Sequence, residues 1–443
     1  MTLQRSADDC LALADAALAA LPHGEAEVTV TETDAALTRF AHNAIHQNVA
    51  ESSLRLRLRL IHDRRVGVAD MRGGAGDGAV ARLIGAAEDA RRLAAPVDVP
   101  PLPAPDGAGG VCGWSDATAG SDPEDRADRV AVVARAAAVR GLRAFGAMST
   151  DAVQTAIVNT RGLRRHGRRT AAQLSCVVRG EDGAGYADRV AVDVGDIDSA
   201  ALAAEVVDCA LRNQQASPIS PGDYEVVLSP YAVAEMIEYL SYIGLSALAV
   251  QERRSYVHLG ERQMGEPITL RVDAGDAAVL PFAFDAEGVA THAVTLVERG
   301  VSRAVVYDTP TARHDGVAST GHALPQPNTI GPLPRHLVLD AGGQTVEELV
   351  AAVERGLYVT RFWYVRPVHA LRTVITGMTR EGTFLIEHGR LSRPVRDLRF
   401  TQSIVAALDD VRGISRERRL EATEESPAVL APWLHLGSFS FTS

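Results

Sequence analysis

Thirteen histidines and an unusual run of arginines are the first places to look for chemistry in this sequence. A catalytic zinc takes closely spaced imidazoles, a further ligand and a carboxylate that activates water. His314, His322, His336, His369 and His388 are instead spread over loop-like and strand-like stretches, and no two of them stand four residues apart. Surface or internally satisfied histidines are the simpler reading. The best histidine-bearing stretch is "RHDGVASTGHALPQPN", with His314 and His322. Its Gly, Ser, Thr and Asn content suits an ordinary turn or a backbone that approaches a peptide closely.

A second candidate is "TRFWYVRPVHALRTVITG", Thr360 to Gly377, which concentrates Arg361, Phe362, Trp363, Tyr364, Arg366 and His369. Aromatics beside arginines anchor interfaces with a partner or substrate, although a strand pair with core aromatics has the same composition. The third is "LRLRLRL" at 54–60. Its strict alternation is the period of a strand, with Leu54, Leu56, Leu58 and Leu60 on one face and Arg55, Arg57 and Arg59 on the other. Leucines packed on helices would turn the arginines toward an inner groove or a partner chain, where guanidinium groups bind carboxylates and backbone carbonyls of an extended peptide. Arg161, Arg164, Arg165, Arg168 and Arg169 in "RGLRRHGRR" read as a solvated strand edge protected by charge.

Composition limits the remaining chemistry. All 45 basic residues are arginine. Without lysine there is no Schiff base, no pyridoxal-phosphate site and no P-loop of the GxxxxGK[ST] type. A net charge of -11 disfavours bulk nucleic-acid binding. Cys10, Cys112, Cys176 and Cys209 are far apart, with no CxxC pair, so they read as buried free thiols rather than a disulfide framework or zinc site. No apolar run approaches the roughly 20 residues of a membrane span, and the acidic, amphipathic N-terminus does not resemble a signal peptide. A cytoplasmic protein is expected.

The elements that must position these residues follow a repeated order. A helix at 5–20 precedes strands from Glu25, Ser53 and Arg64 and a helix from Gly78; then a Pro/Gly-rich stretch, "APVDVPPLPAPDGAGG", reads as a linker or extended crossover. From Pro123 the order restarts with a helix, three strands and a helix at about 198–213. After a boundary near Pro218 to Asp223 come one strong helix at 230–255 and many short strands separated by turn residues. The expectation is an α+β protein of 443 residues. Residues 1–217 form an N-terminal region with an antiparallel sheet and flanking helices, in sub-regions of about 1–95 and 123–217. Residues 218–443 form a β-rich, sandwich- or barrel-like domain with a few helices.

Several stretches, in order, carry a resemblance: "RFAHNAIHQNVAESSLRLRLRLIHDRRVGVA", "DYEVVLSPYAVAEMIEYL", "YDTPTARHDGVASTGHA", the strand Gly356 to Thr360, "LIEHGR" at Leu385 to Arg390, and Pro394-Val395. Together they resemble the TldD/PmbA family over nearly the whole chain. The resemblance implies a pair of subunits. The TldD type is a zinc metalloprotease with HExxxH on the first helix of its C-terminal domain and a cysteine ligand near its end; the TldE type is its partner.

On the matching helix, Ala234 and Tyr239 stand where the two histidines would be, and Glu235 alone keeps the motif's second position. The stretch "ESPAVLAPWLHLGSFSFTS" has no cysteine. The chain therefore looks like the TldE type, with no metal of its own, zinc expected in the partner, and an unfolded or small peptide as the substrate of the pair. One alternative is an enzyme whose diverged site acts on an amide in a small natural product. Another is a regulatory binding protein, in keeping with the family's older description as a modulator of DNA gyrase.

Overall fold

The computed structural model describes residues 3–73, 77–106, 111–423 and 428–443. The end of the Pro/Gly-rich stretch, 107–110, and the first residues of the last quoted segment, 425–427, lie outside them.

The chain opens with helix α1, Ala7–Ala19, started by a Ser6 and Asp9 capping box. Strands β1 (Glu25–Ala41), β2 (Ala44–His62) and β3 (Arg65–Arg72) follow, then helix α2 (Asp77–Leu93). The two hairpin turns sit on His42-Asn43 and Asp63-Arg64, all four at positive φ, the backbone geometry that matches strand twist in a tight hairpin. After a short helix α3 (Asp116–Gly120), the order repeats as α4 (Pro123–Val139), β4 (Arg143–Asn159), β5 (Arg164–Arg179), β6 (Ala184–Ala191) and α5 (Ser199–Arg212).

The two sets are not separate sheets. β1 pairs antiparallel with β4 from Glu27 opposite Asn159 to Phe40 opposite Gly146, giving one six-stranded sheet ordered β3-β2-β1-β4-β5-β6. Its helices pack on one face. Leu54, Leu56, Leu58 and Leu60 are buried there with Cys10, Ala14, Leu83 and Ala87 of α1 and α2. Each leucine so buried contributes roughly 2 kcal/mol. The alternation read from the sequence thus places the arginines on the opposite face.

The second half builds a mixed eleven-stranded sheet. Its strands are β7 (Gly222–Leu228), β8 (Leu270–Val272), β9 (Val294–Glu298), β10 (Val301–Ser302), β11 (His336–Leu339), β12 (Arg355–His369), β13 (Val374–Glu387), β14 (Arg390–Val395), β15 (Arg399–Ser403), β16 (Val411–Glu421) and β17 (Ala428–Phe441). Helix α6, Pro230–Gly244, packs against β12 and β17 and is buried on almost every side, as its apolar composition demands.

The helix expected to run over 230–255 breaks at Leu245. A second helix, α7 (Ala247–Gln251), starts where the Ala247 N–H donates to the Val306 carbonyl. The Tyr256 ring lies so close that a Cβ on Gly244 would come within 2.6 Å of it. Tertiary packing therefore overrides helix propensity here. Short helices α8 (Thr309–Asp315), α9 (Val346–Ala351) and α10 (Ile404–Asp409) complete the fold. No helix among the described residues is long and apolar enough to cross a membrane.

Candidate functional site

Three regions hold the residues singled out above. On α6, Ala234 is buried and offers no ligand atom, while Glu235 is half-buried. The Tyr239 hydroxyl donates to the Val365 carbonyl at 2.7 Å and accepts from Arg366 Nη1 at 3.1 Å. Burial pushes the Tyr239 phenol above its ordinary pKa, and the Arg366 contact opposes the shift. The phenol is thus neutral and engaged in holding α6 against β12. These positions do not fit a zinc ion. Among the described residues, no three His, Cys, Asp or Glu side chains come together in a metal-holding group.

The segment 361–369 divides between core and surface. Phe362 is 2% exposed and packs with Phe400 and Phe439. Arg361 donates to Glu381 at 2.7 Å, with its guanidinium 4.0 Å from the Tyr186 ring. Trp363 and Tyr364 point outward, 44% and 69% exposed. Arg361 and Arg380 flank the Trp363 ring at 4.9 and 5.0 Å, and Arg366 lies 4.9 Å from Tyr364. His369 is exposed at the end of β12. Val368, Leu371 and Met378 extend the same exposed apolar surface over the β12–β13 hairpin. The core-aromatic reading therefore holds for Phe362 alone.

The third region lies between the sheets. The arginine face of β2 turns inward to the segment 282–335 of the second half. Arg57 donates to the Gln326 carbonyl, and Arg59 Nη1 lies 3.7 Å from Glu287. Arg55 pairs with Asp70 at 2.9 Å on the sheet itself. Glu27 is buried beside Arg59; burial is the larger effect on its acid and lifts it to about 7, with Arg59 opposing. Asp285 and Glu287 are buried neighbours, and loss of water around them raises both. Of the two candidate histidines, His314 is exposed and paired with Asp315 at 2.7 Å, while His322 is 2% exposed within the cleft. The structure does not bring them together.

The cleft widens into a cavity of about 610 Å³ between the β4–β5 face and the second half, lined by Asp151, Arg169, Asp285, His322, Arg335 and His336 among others. Burial lowers His322 to about 4 and His336 to about 3, so both imidazoles are neutral near pH 7. Asp285, Glu287 and Arg335 were not candidates in the sequence. Their positions share no periodicity, and only "FAFDAEG", acidic residues directly after an aromatic pair, hinted at a buried carboxylate.

One expectation is corrected in part. The arginines of "RGLRRHGRR" do not lie on a sheet edge, because β4 and β5 are interior strands, although Arg161, Arg164 and Arg168 are solvated as expected. Arg161 donates to the Leu102 carbonyl, Arg164 to Asp15, Arg165 to Asp106 and the Gly288 carbonyl, and Arg169 to Asp151, while Arg168 stacks 4.2 Å from Trp114. All but Arg169, whose partner Asp151 is on β4 itself, tie a distant segment to the hairpin.

Comparisons with known proteins agree with this architecture. Residues 221–442 match the family model described as the PmbA/TldA metallopeptidase C-terminal domain, and residues 106–214 match that of the central domain. An uncharacterized protein of Methanocaldococcus jannaschii is 31% identical over 184 residues, 40% of this chain and 43% of that protein. A "metalloprotease TldD homolog" of Haemophilus influenzae is 25% identical over 51% of this chain and 48% of its own length. The matches thus span about half the length of the curated relatives. The crystal structure of TldE from Thermococcus kodakarensis superposes with a TM-score of 0.86 at 18% identity, covering 99% of this chain and 100% of that one.

Proposed function

The chain belongs to the TldD/PmbA family, and from that membership we propose that it is the non-catalytic, TldE-type subunit of a heterodimeric zinc metalloprotease. The observation that carries the reading is Tyr239. At a position where the catalytic type would hold a histidine, a phenol ties α6 to the Val365 carbonyl, and Ala234 supplies no second ligand. When zinc is bound in the partner, it activates water for amide hydrolysis.

The residues of this chain have supporting roles. Trp363 and Tyr364, held from behind by Arg361, Arg366 and Arg380, form the contact with the TldD-type subunit. With that subunit the chain encloses a chamber that admits unfolded or small peptides, modified ones included, in the cytoplasm. Neutral aromatic faces beside guanidinium groups suit both a protein partner and an extended peptide.

The test is zinc content and peptide hydrolysis by this chain alone and after co-expression with a TldD-type partner. The expected result is no bound metal and no turnover alone, with activity in the complex. Stoichiometric zinc or turnover by the lone chain overturns the reading.

A further inference from the structure

We propose that the cavity between the two sheets binds a short peptide by its terminal carboxylate. Arg335, Arg169 and His322 hold the carboxylate, and Phe282 and Phe284 receive the adjoining side chain. The volume, about 610 Å³, is that of a small-molecule pocket and accommodates two or three residues.

Arg335 is the centre of the argument. Protein surrounds it closely enough to lower its pKa, yet its surface remains exposed. Both follow if the exposed part faces the interior space, and Arg335 indeed lines both this cavity and the smaller one, about 190 Å³, beneath Arg55, Arg57 and Arg59. Arg169 is near enough to depress Arg335 further. Two guanidinium groups that repel each other across a cavity are relieved by an anion between them.

The other polar groups are consistent with an oxyanion. Arg169 gives Nη1 to Asp151 at 2.8 Å; a guanidinium carries five N–H donors. His322 Nδ1 lies 3.0 Å from Thr320 Oγ1, while Nε2 is buried with no hydrogen-bond partner. Such an atom is an unmet demand in the native state. Asp285 attracts Arg335, but its carboxyl oxygens are already engaged. Its oxygens accept the N–H groups of Glu287, Val289 and Ala323, and burial favours its protonated form. Phe282 and Phe284, 4.9 Å apart, supply an apolar wall shared by both cavities.

This proposal does not depend on the accessory-subunit reading, since it concerns the lone chain. The experiment is calorimetric titration of the full-length chain with Ala-Phe-Ala as the free acid, with its C-terminal amide, and with inorganic phosphate. The free acid is expected to bind, the amide at least tenfold more weakly, and R335Q is expected to weaken the free acid at least tenfold. Equal binding of acid and amide, phosphate binding without peptide binding, or undiminished binding by R335Q overturns the proposal. If R335Q fails to fold, R335K and the His322 imidazole resonance decide. The resonance should move with the acid and stay still with the amide, and movement with neither or with both overturns the assignment. Acid binding by a chain that never activates a partner would discard the subunit reading and keep this one.

Discussion

The Tyr239 hydroxyl donates to the Val365 carbonyl across 2.7 Å, joining α6 to β12. The same oxygen accepts from Arg366, so both its donor and acceptor capacities are used. Tyr239→Phe removes this donor, but the Val365 carbonyl keeps Arg366 Nη1 at 2.6 Å, so the cost is that of one hydrogen bond, about 0.5–1.5 kcal/mol. The urea midpoint should fall accordingly, while hydrolysis by the complex with a TldD-type partner, measured well below the unfolding range, should be unchanged. Loss of turnover without loss of stability would give the phenol a direct part in the chemistry.

Trp363 is exposed between two arginines that pack on its ring. Truncating a central aromatic anchor typically removes 2 kcal/mol or more of binding energy. Trp363→Ala should therefore weaken association with the partner by roughly 30-fold, seen as dissociation at micromolar concentration in sizing chromatography. Intact association and intact activity in this variant would remove the β12–β13 hairpin from the interface.

Glu27 is raised from its ordinary carboxylate value to about 7 by burial. A raised acid contributes stability that is present below its unfolded pKa, near 4.5, and is lost as pH rises through about 7. That loss amounts to on the order of 3 kcal/mol between those limits. Glu27→Gln should flatten the decline in urea stability between pH 5 and pH 8 and leave the mutant more stable than the parent at pH 8. A parallel decline in the two proteins would mean that Arg59 keeps Glu27 ionised throughout.

The thiols should differ sharply in reactivity. Burial raises Cys10 to about 11 and Cys209 to about 12, pushes Cys176 higher still, and leaves Cys209 donating to the Glu381 carbonyl at 3.2 Å. A thiol-disulfide reagent at pH 8 should label Cys112 first, with the other three appearing only on denaturation. Rapid labelling of Cys209 in the native protein would show that α5 separates readily from β13.

Much of this was legible from residue order. The alternation at 54–60 fixes which face meets the helices, because a one-residue slip would bury three guanidinium groups. Ala234, Glu235 and Tyr239 lie within six residues of one another, so the comparison of that helix with the family's zinc motif needs only local sequence. The cleft was not legible. Asp285, His322 and Arg335 meet through irregular chain, where side-chain direction follows from tertiary contacts rather than a period of 2 or 3.6. The tethers made by "RGLRRHGRR" were not legible for the same reason: their partners Asp15, Leu102 and Asp106 lie far upstream, and charge density alone does not tell an edge from an interior strand.

The seam between β1 and β4 has a consequence for synthesis. β2 leaves the ribosome directly after β1 and can pair with it at once, but the partner on β1's other side is encoded more than a hundred residues later, since Phe40 pairs with Gly146 and Glu27 with Asn159. At translation rates of roughly 5–20 residues per second, that edge waits about 5–20 s with its amides and carbonyls unpaired. The nascent first half is therefore a sticky intermediate, and its safe passage depends on how quickly β4 emerges or on what shields β1 until it does.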